Sequence, residues 1–136
     1  MIVVDTNVMV YLLTGIGPGE EAARHLSRDP EWAAPTLLLS ELRNVVAGLV
    51  RTCRMDAADA AEICRDAEEI LGDRLASVPS EPVLEEALKK GLSAYDAEFV
   101  VLARRLGVAL LTADRAIQEA APEVAVPLSC PANGAS

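Results

Sequence analysis

Apolar residues fall along the chain in two rhythms. Residues 1–4, Met-Ile-Val-Val, form an unbroken apolar run, the pattern of a short strand buried on both faces. Residues 108–112 (Val-Ala-Leu-Leu-Thr) repeat that pattern, 74–78 predicts another strand, and 124–128 a weaker one. Trp32-Ala33-Ala34-Pro35 reads as a short connection or an edge strand. Helical periods lie between. Over 36–51, Leu38, Leu42, Val45, Val46 and Leu49 give the stripe of a buried face. Residues 56–71, with Asp56 as N-cap and Gly72 as stop, carry Ala57, Ala60, Ala61, Ile63, Cys64 and Ala67, a small-residue face suited to close packing. Pro82 at a first helical position and Gly91 bracket a further helix, and 93–106 is the third long one, closed by Gly107. Shorter helical segments fall at 8–13, at 20–27 with Ala23 and Leu26 facing inward, and at 114–121. Strands alternating with helices predict one α/β domain over 1–128, with a mostly parallel sheet covered on both faces. A flexible tail rich in Pro, Asn, Gly and Ser is expected over 129–136.

Composition narrows the classes. The 136 residues are one domain's worth, 51% apolar and 24% charged, hence globular. A net charge of −9 argues against broad electrostatic attraction to nucleic acid or anionic membrane, though not against a nucleic acid held through bound cations. Aromatic residues, at 3%, are too few for base-stacking platforms. Cys53, Cys64 and Cys130 are odd in number and lack zinc spacing, which points to reduced thiols in a reducing compartment. Asp5 interrupts any leader-like apolar opening, and no run approaches the ~18 residues of a membrane span, so a soluble, cytoplasmic protein is expected.

Four acids stand at element ends or out of pattern. Asp5 ends the first strand, Asp114 lies just past the 108–112 strand, Asp96 falls in the first turn of the 93–106 helix, and Glu41 lies beside an apolar stripe. If the two strands are parallel neighbours, Asp5, Asp114 and Asp96 all reach the carboxyl edge of the sheet, where ligands of such sheets bind. Each has an ordinary structural reading as well. Asp5 and Asp114 suit helix N-caps, and Ser93-Ala94-Tyr95-Asp96 has the spacing of a capping box. Glu41 has none comparable, because a carboxylate near an apolar stripe is costly unless paired or coordinated. Clustered carboxylates repel one another, a penalty that a hard divalent cation such as Mg2+ or Mn2+ removes. The single His25 and the cysteine spacing argue against zinc, and Gly15-Ile16-Gly17-Pro18-Gly19 lacks the lysine of a phosphate-binding loop.

The ordered set Asp5-Thr6-Asn7, Ser40-Glu41, Tyr95-Asp96-Ala97 and Leu111-Thr112-Ala113-Asp114 resembles the PIN-domain ribonucleases, most of all the VapC toxins of toxin–antitoxin pairs. The resemblance runs over nearly the whole chain. It implies a three-layer α/β/α sandwich and a metal-dependent endoribonuclease. Asp5 and Asp96 would be the central Mg2+ or Mn2+ ligands, with Glu41 and Asp114 completing the pocket. Thr6, Asn7 and Thr112 would hold the carboxylates and a bound water in place. It further implies an RNA substrate, a cognate antitoxin and a homodimer, with no membrane partner. Arg43, Arg104, Arg105 and Arg115 are candidates for steering phosphates, and the faces of 36–51 and 56–71 are candidates for an antitoxin groove. Two other readings stand beside this one. An aspartyl phosphatase would want an acid where Asn7 stands and a lysine near the site. A PIN-like fold could also serve as a non-catalytic binding module.

Overall fold

A computed structural model describes residues 1–129, and the remainder of the expected tail, Cys130 included, lies outside the described residues. Among the described residues twelve elements follow in the order β1 (Ile2–Val4), α1 (Thr6–Thr14), α2 (Gly19–Arg28), β2 (Trp32–Pro35), α3 (Leu37–Arg51), α4 (Ala57–Leu71), β3 (Leu75–Ala76), α5 (Ser80–Lys90), α6 (Ala94–Leu106), β4 (Leu110–Thr112), α7 (Arg115–Ala120) and β5 (Ala125–Pro127). The five strands form one sheet in the order β3-β2-β1-β4-β5, and every pairing is parallel. Such a sheet is hydrophobic on both faces, which is why β1 and β4 are apolar runs without alternation. Val3, Val4, Leu110 and Leu111 are fully buried, with Val3 opposite Leu110 and Val4 opposite Leu111.

Helix α6 lies across β1, β2 and β4 with α5 behind it, while α1, α3 and α4 pack together and against β2 and β4. These are three layers, an α/β/α sandwich. Trp32, Met9, Leu38, Leu42, Leu71, Phe99 and Ile117 fill the main core, and a second small core joins Val83 and Ala87 of α5 to Ala97 and Val101 of α6.

Three sequence expectations need correction. β2 is not an edge or a connection but an interior strand between β1 and β3. Its Pro35 is tolerated because the β1–β2 register ends at Val3–Ala33, so that Pro35 pairs on its β3 side only, opposite Ala76. In α2 the buried residue is Ala22 whereas Ala23 is exposed, so the inward face is turned by one position. In α5 the helix starts at Ser80, placing Pro82 within the first turn rather than at its first residue, where its missing N–H still has no helical partner to lose.

The strand order sets the site. From β1 the chain moves outward through β2 and β3, then returns to place β4 on the other side of β1. At that reversal the connections leave β1 and β4 in opposite directions, opening a crevice beyond their carboxyl ends.

Candidate active site at the carboxyl edge of the sheet

Asp5 follows β1 directly and is 6% exposed. It caps α1: its Oδ1 accepts the Thr6 N–H at 2.7 Å, while its Oδ2 accepts the Thr112 hydroxyl at 2.8 Å. The Thr112 hydroxyl in turn accepts the Asp114 N–H at 2.9 Å, so the ends of β1 and β4 are joined through one side chain. Asp114 caps α7, accepting the Ile117 N–H at 3.0 Å. On α6 the Asp96 N–H donates to Ser93 Oγ at 3.0 Å, the N-cap half of a capping box. Glu41, on α3, accepts the Thr6 hydroxyl at 2.6 Å and is half-buried. The structural partner that the sequence did not reveal for Glu41 is therefore Thr6. The cap and the cluster are not alternatives, since Asp5 and Asp114 serve as caps while lying at the same edge.

These groups meet in one cavity of about 230 Å3, lined by Asp5, Thr6, Asn7, Glu41, Asn44, Val45, Asp96 and Asp114. No basic side chain is in that lining. The electrostatic consequence is visible in the protonation behaviour. Burial, with smaller contributions from the charges of Asp96 and Asp114, pushes Asp5 up to about 6 despite the hydrogen bonds from Thr112 and Thr6. Asp96 is raised by its own burial, then by Asp114 and Glu41, with partial relief from the Ser93 hydroxyl. Glu98, one turn into α6, is raised by burial and by Glu41. It is a fifth acid in the same field that the sequence pattern did not single out.

Asn44 and Val45 were also missed as lining residues. The available signal was spacing, since Asn44 follows Glu41 by three positions and so shares its helix face. Asn7 lines the cavity but makes no side-chain hydrogen bond to the carboxylates among the described residues, unlike Thr6 and Thr112. Of the four candidate arginines, Arg104 is held by Glu86 and Glu123, and Arg43 pairs with Glu68 at 3.7 Å. Arg105 sits at the far end of α6 from Asp96. Arg115, exposed and adjacent to Asp114, is the one left beside the acids.

The donor set is all oxygen and carries unbalanced negative charge, which fits a hard cation. Among the described residues no three acids stand close enough together to chelate an ion directly. A hard divalent cation that keeps some of its waters needs only one or two carboxylates in direct contact.

The chain belongs to the PIN domain family, whose model matches residues 2–122. PIN domains are in general nucleases. No curated protein matches the chain. Solved structures share the fold. PAE2754 from Pyrobaculum aerophilum aligns with a TM-score of 0.73 at 22% identity, over 93% of this chain and 83% of that one. FitAcB from Neisseria gonorrhoeae aligns with a TM-score of 0.70 at 18% identity, over 94% and 98%. VapBC2 from Rickettsia felis, solved bound to a DNA fragment from its promoter, aligns with a TM-score of 0.60 at 17% identity, over 93% and 98%.

Proposed function

We propose that the protein is a metal-dependent endoribonuclease of the VapC toxin type, acting in the cytoplasm and restrained by a cognate antitoxin. The observation that carries the reading is the meeting of Asp5, Glu41, Asp96 and Asp114, from four different elements, in one cavity without a basic residue in its lining. Membership of the PIN family supports nuclease chemistry. The motif resemblance to VapC toxins, with VapBC2 among the fold neighbours, supports the toxin role.

Asp5 and Asp96 would hold Mg2+ or Mn2+, with Glu41 and Asp114 completing its surroundings directly or through waters. A divalent ion supplies, when bound, a water of lowered pKa and charge to stabilise the leaving oxygen of a phosphodiester. The chain's own residues do the rest. Thr6 and Thr112 fix the carboxylates by donating to Glu41 and Asp5. Asn7 and Asn44 offer neutral amide donors to the substrate, and Arg115 offers a cation at the rim. The expected assembly is a homodimer with an antitoxin bound.

The test is cleavage of a mixed labelled RNA pool by the antitoxin-free chain with Mg2+ or Mn2+, with a chelator, and with Asp96→Asn. Because losing an outer partner of a metal ligand already costs 10–100-fold, replacing Asp96 should lower the rate at least about 100-fold. Its fold should persist, since Asn serves in a first helical turn. Cutting that survives chelation would sink the metal reading, and absence of both cutting and metal binding would leave a binding module.

A further inference from the structure

Helix α7 is six residues long, too short to hold itself by helical hydrogen bonds alone, and Ile117 is its single buried residue. Its N-cap is nevertheless Asp114, so whatever fixes α7 also fixes where that carboxylate stands. Asp114 Oδ1 is taken by the Ile117 N–H, and among the described residues Oδ2 has no hydrogen-bond partner.

Gln118, half-buried on α7, is fastened to this turn twice. Its backbone N–H donates to the Asp114 carbonyl at 3.1 Å, and its side-chain Nε2 donates to the Thr112 carbonyl at 3.1 Å. A carbonyl only accepts, so this bond itself sets which way the amide points. The sheet does not need it, because the Thr112 carbonyl already receives the Leu128 N–H from just past β5 at 3.0 Å. Nor is it a helical bond. It runs six positions back, across the cap, from α7 to the end of β4. Thr112 is thereby engaged at every side. Its hydroxyl donates to Asp5 Oδ2 and accepts the Asp114 N–H, while its carbonyl accepts from Leu128 and Gln118. It is fully buried, cut off from solvent that could replace a lost partner.

We propose that Gln118 is a positioning residue for the acid cavity, its amide locking α7 to the end of β4 and so holding the Asp114 carboxylate in place beside Asp5 for cation binding. Gln118 is absent from the cavity lining, so it acts through Thr112 and Asp114. Without its amide, Thr112 keeps its β5 partner and its bond to Asp5, but α7 is free to swing about Ala113. A carboxylate that samples several positions binds an ion more weakly than one held in place, because binding must then order it.

This role rests on the proposed metal site and adds to it a residue outside the cavity. Gln118→Met keeps the reach of the side chain and removes only the donor. Mn2+ binding to the antitoxin-free full chain, without RNA, is read from the electron paramagnetic resonance signal of the unbound ion. Loss of an outer partner of a metal ligand costs about 10–100-fold in affinity, and Gln118 stands one bond further out, so the dissociation constant should rise about three- to tenfold. Cleavage of the mixed RNA pool at sub-saturating Mn2+ should slow by a similar factor, and excess Mn2+ should restore most of the rate. Ile117→Val thins the packing of the same helix and leaves the amide in place. It should lower the melting temperature yet keep the dissociation constant within about twofold. A Gln118→Met chain that binds Mn2+ as tightly as wild type, while Asp5→Asn binds it weakly, overturns the role of Gln118 and leaves the metal site standing. Equal weakening by Ile117→Val overturns it too, since loose packing of α7 would then suffice. A wild-type chain that binds Mn2+ no better than Asp5→Asn overturns the metal site and this role with it.

Discussion

Asp5 carries the sharpest conflict in the molecule. Its carboxylate accepts two hydrogen bonds that favour the charged form, yet burial raises it from the usual range to about 6. A group whose folded pKa is raised holds its proton more tightly when folded. Its contribution to stability is therefore full below the unfolded pKa near 4 and is lost as pH rises through 6. In the presence of chelator, the wild-type chain should lose up to about 3 kcal/mol of unfolding free energy between pH 4 and pH 7 relative to Asp5→Asn. Urea denaturation followed by the fluorescence of Trp32, the single tryptophan and fully buried, reads this directly. A difference curve that stays flat, or slopes the other way, would refute the conflict. Glu41 makes the complementary case. Glu41→Gln keeps an acceptor for the Thr6 hydroxyl while removing the charge that raises Asp96 and Glu98. The metal-free variant should be no less stable than wild type. Thr6→Val, which strands the Glu41 oxygen, should cost about 1 kcal/mol. A clear fall in Glu41→Gln would show that the charge is structurally paired.

At the scale of elements, the Arg104 guanidinium joins α6 to Glu86 of α5 and to Glu123 ahead of β5. Glu86 is 7% exposed, and its second oxygen has no partner among the described residues. Removing the cation leaves a buried carboxylate uncompensated, so Arg104→Met should destabilise by about 3 kcal/mol, whereas Arg104→Met with Glu86→Met should recover most of it. Thermal denaturation of the three chains decides this, and equal loss in single and double variants would mean that the node stabilises by packing alone. This node also marks where sequence reading stops. β1 and β4 were legible because both faces of each are buried, and Gly107, Ser93 and Asp56 announced helix ends by local chemistry. The four acids were legible as one edge because parallel strands and the helix feeding β4 must share an end. β2 was misjudged because Trp-Ala-Ala-Pro carries little strand preference of its own and Pro35 reads as a breaker until the short reach of β1 is known. The Thr6–Glu41 hydrogen bond and the Arg104 node join residues 35 and about 18 positions apart, contacts that no local pattern encodes.

The whole molecule carries −9, and the acid cavity is only one part of that field. Any salt therefore stabilises the chain to some degree by screening, so a rise in melting temperature with Mg2+ would not by itself locate a site. Matched ionic strength separates the two effects. A ligand that binds only the folded state adds about 2.7 kcal/mol at a hundredfold excess over its dissociation constant, several degrees for a domain of this size. Mg2+ should raise the melting temperature by several degrees above a NaCl control of equal ionic strength, and chelator should reverse it. Asp5→Asn and Asp96→Asn should each lose most of that excess while keeping the NaCl response, because a single carboxylate among many hardly alters the overall field. Substitution of Glu20 and Glu21, exposed or half-exposed acids on α2 distant in the chain from the cavity lining, should leave it intact. If those remote acids mattered as much as Asp5 and Asp96, the cation would be answering the net charge, and the acids would be four helix caps and neighbours rather than a site.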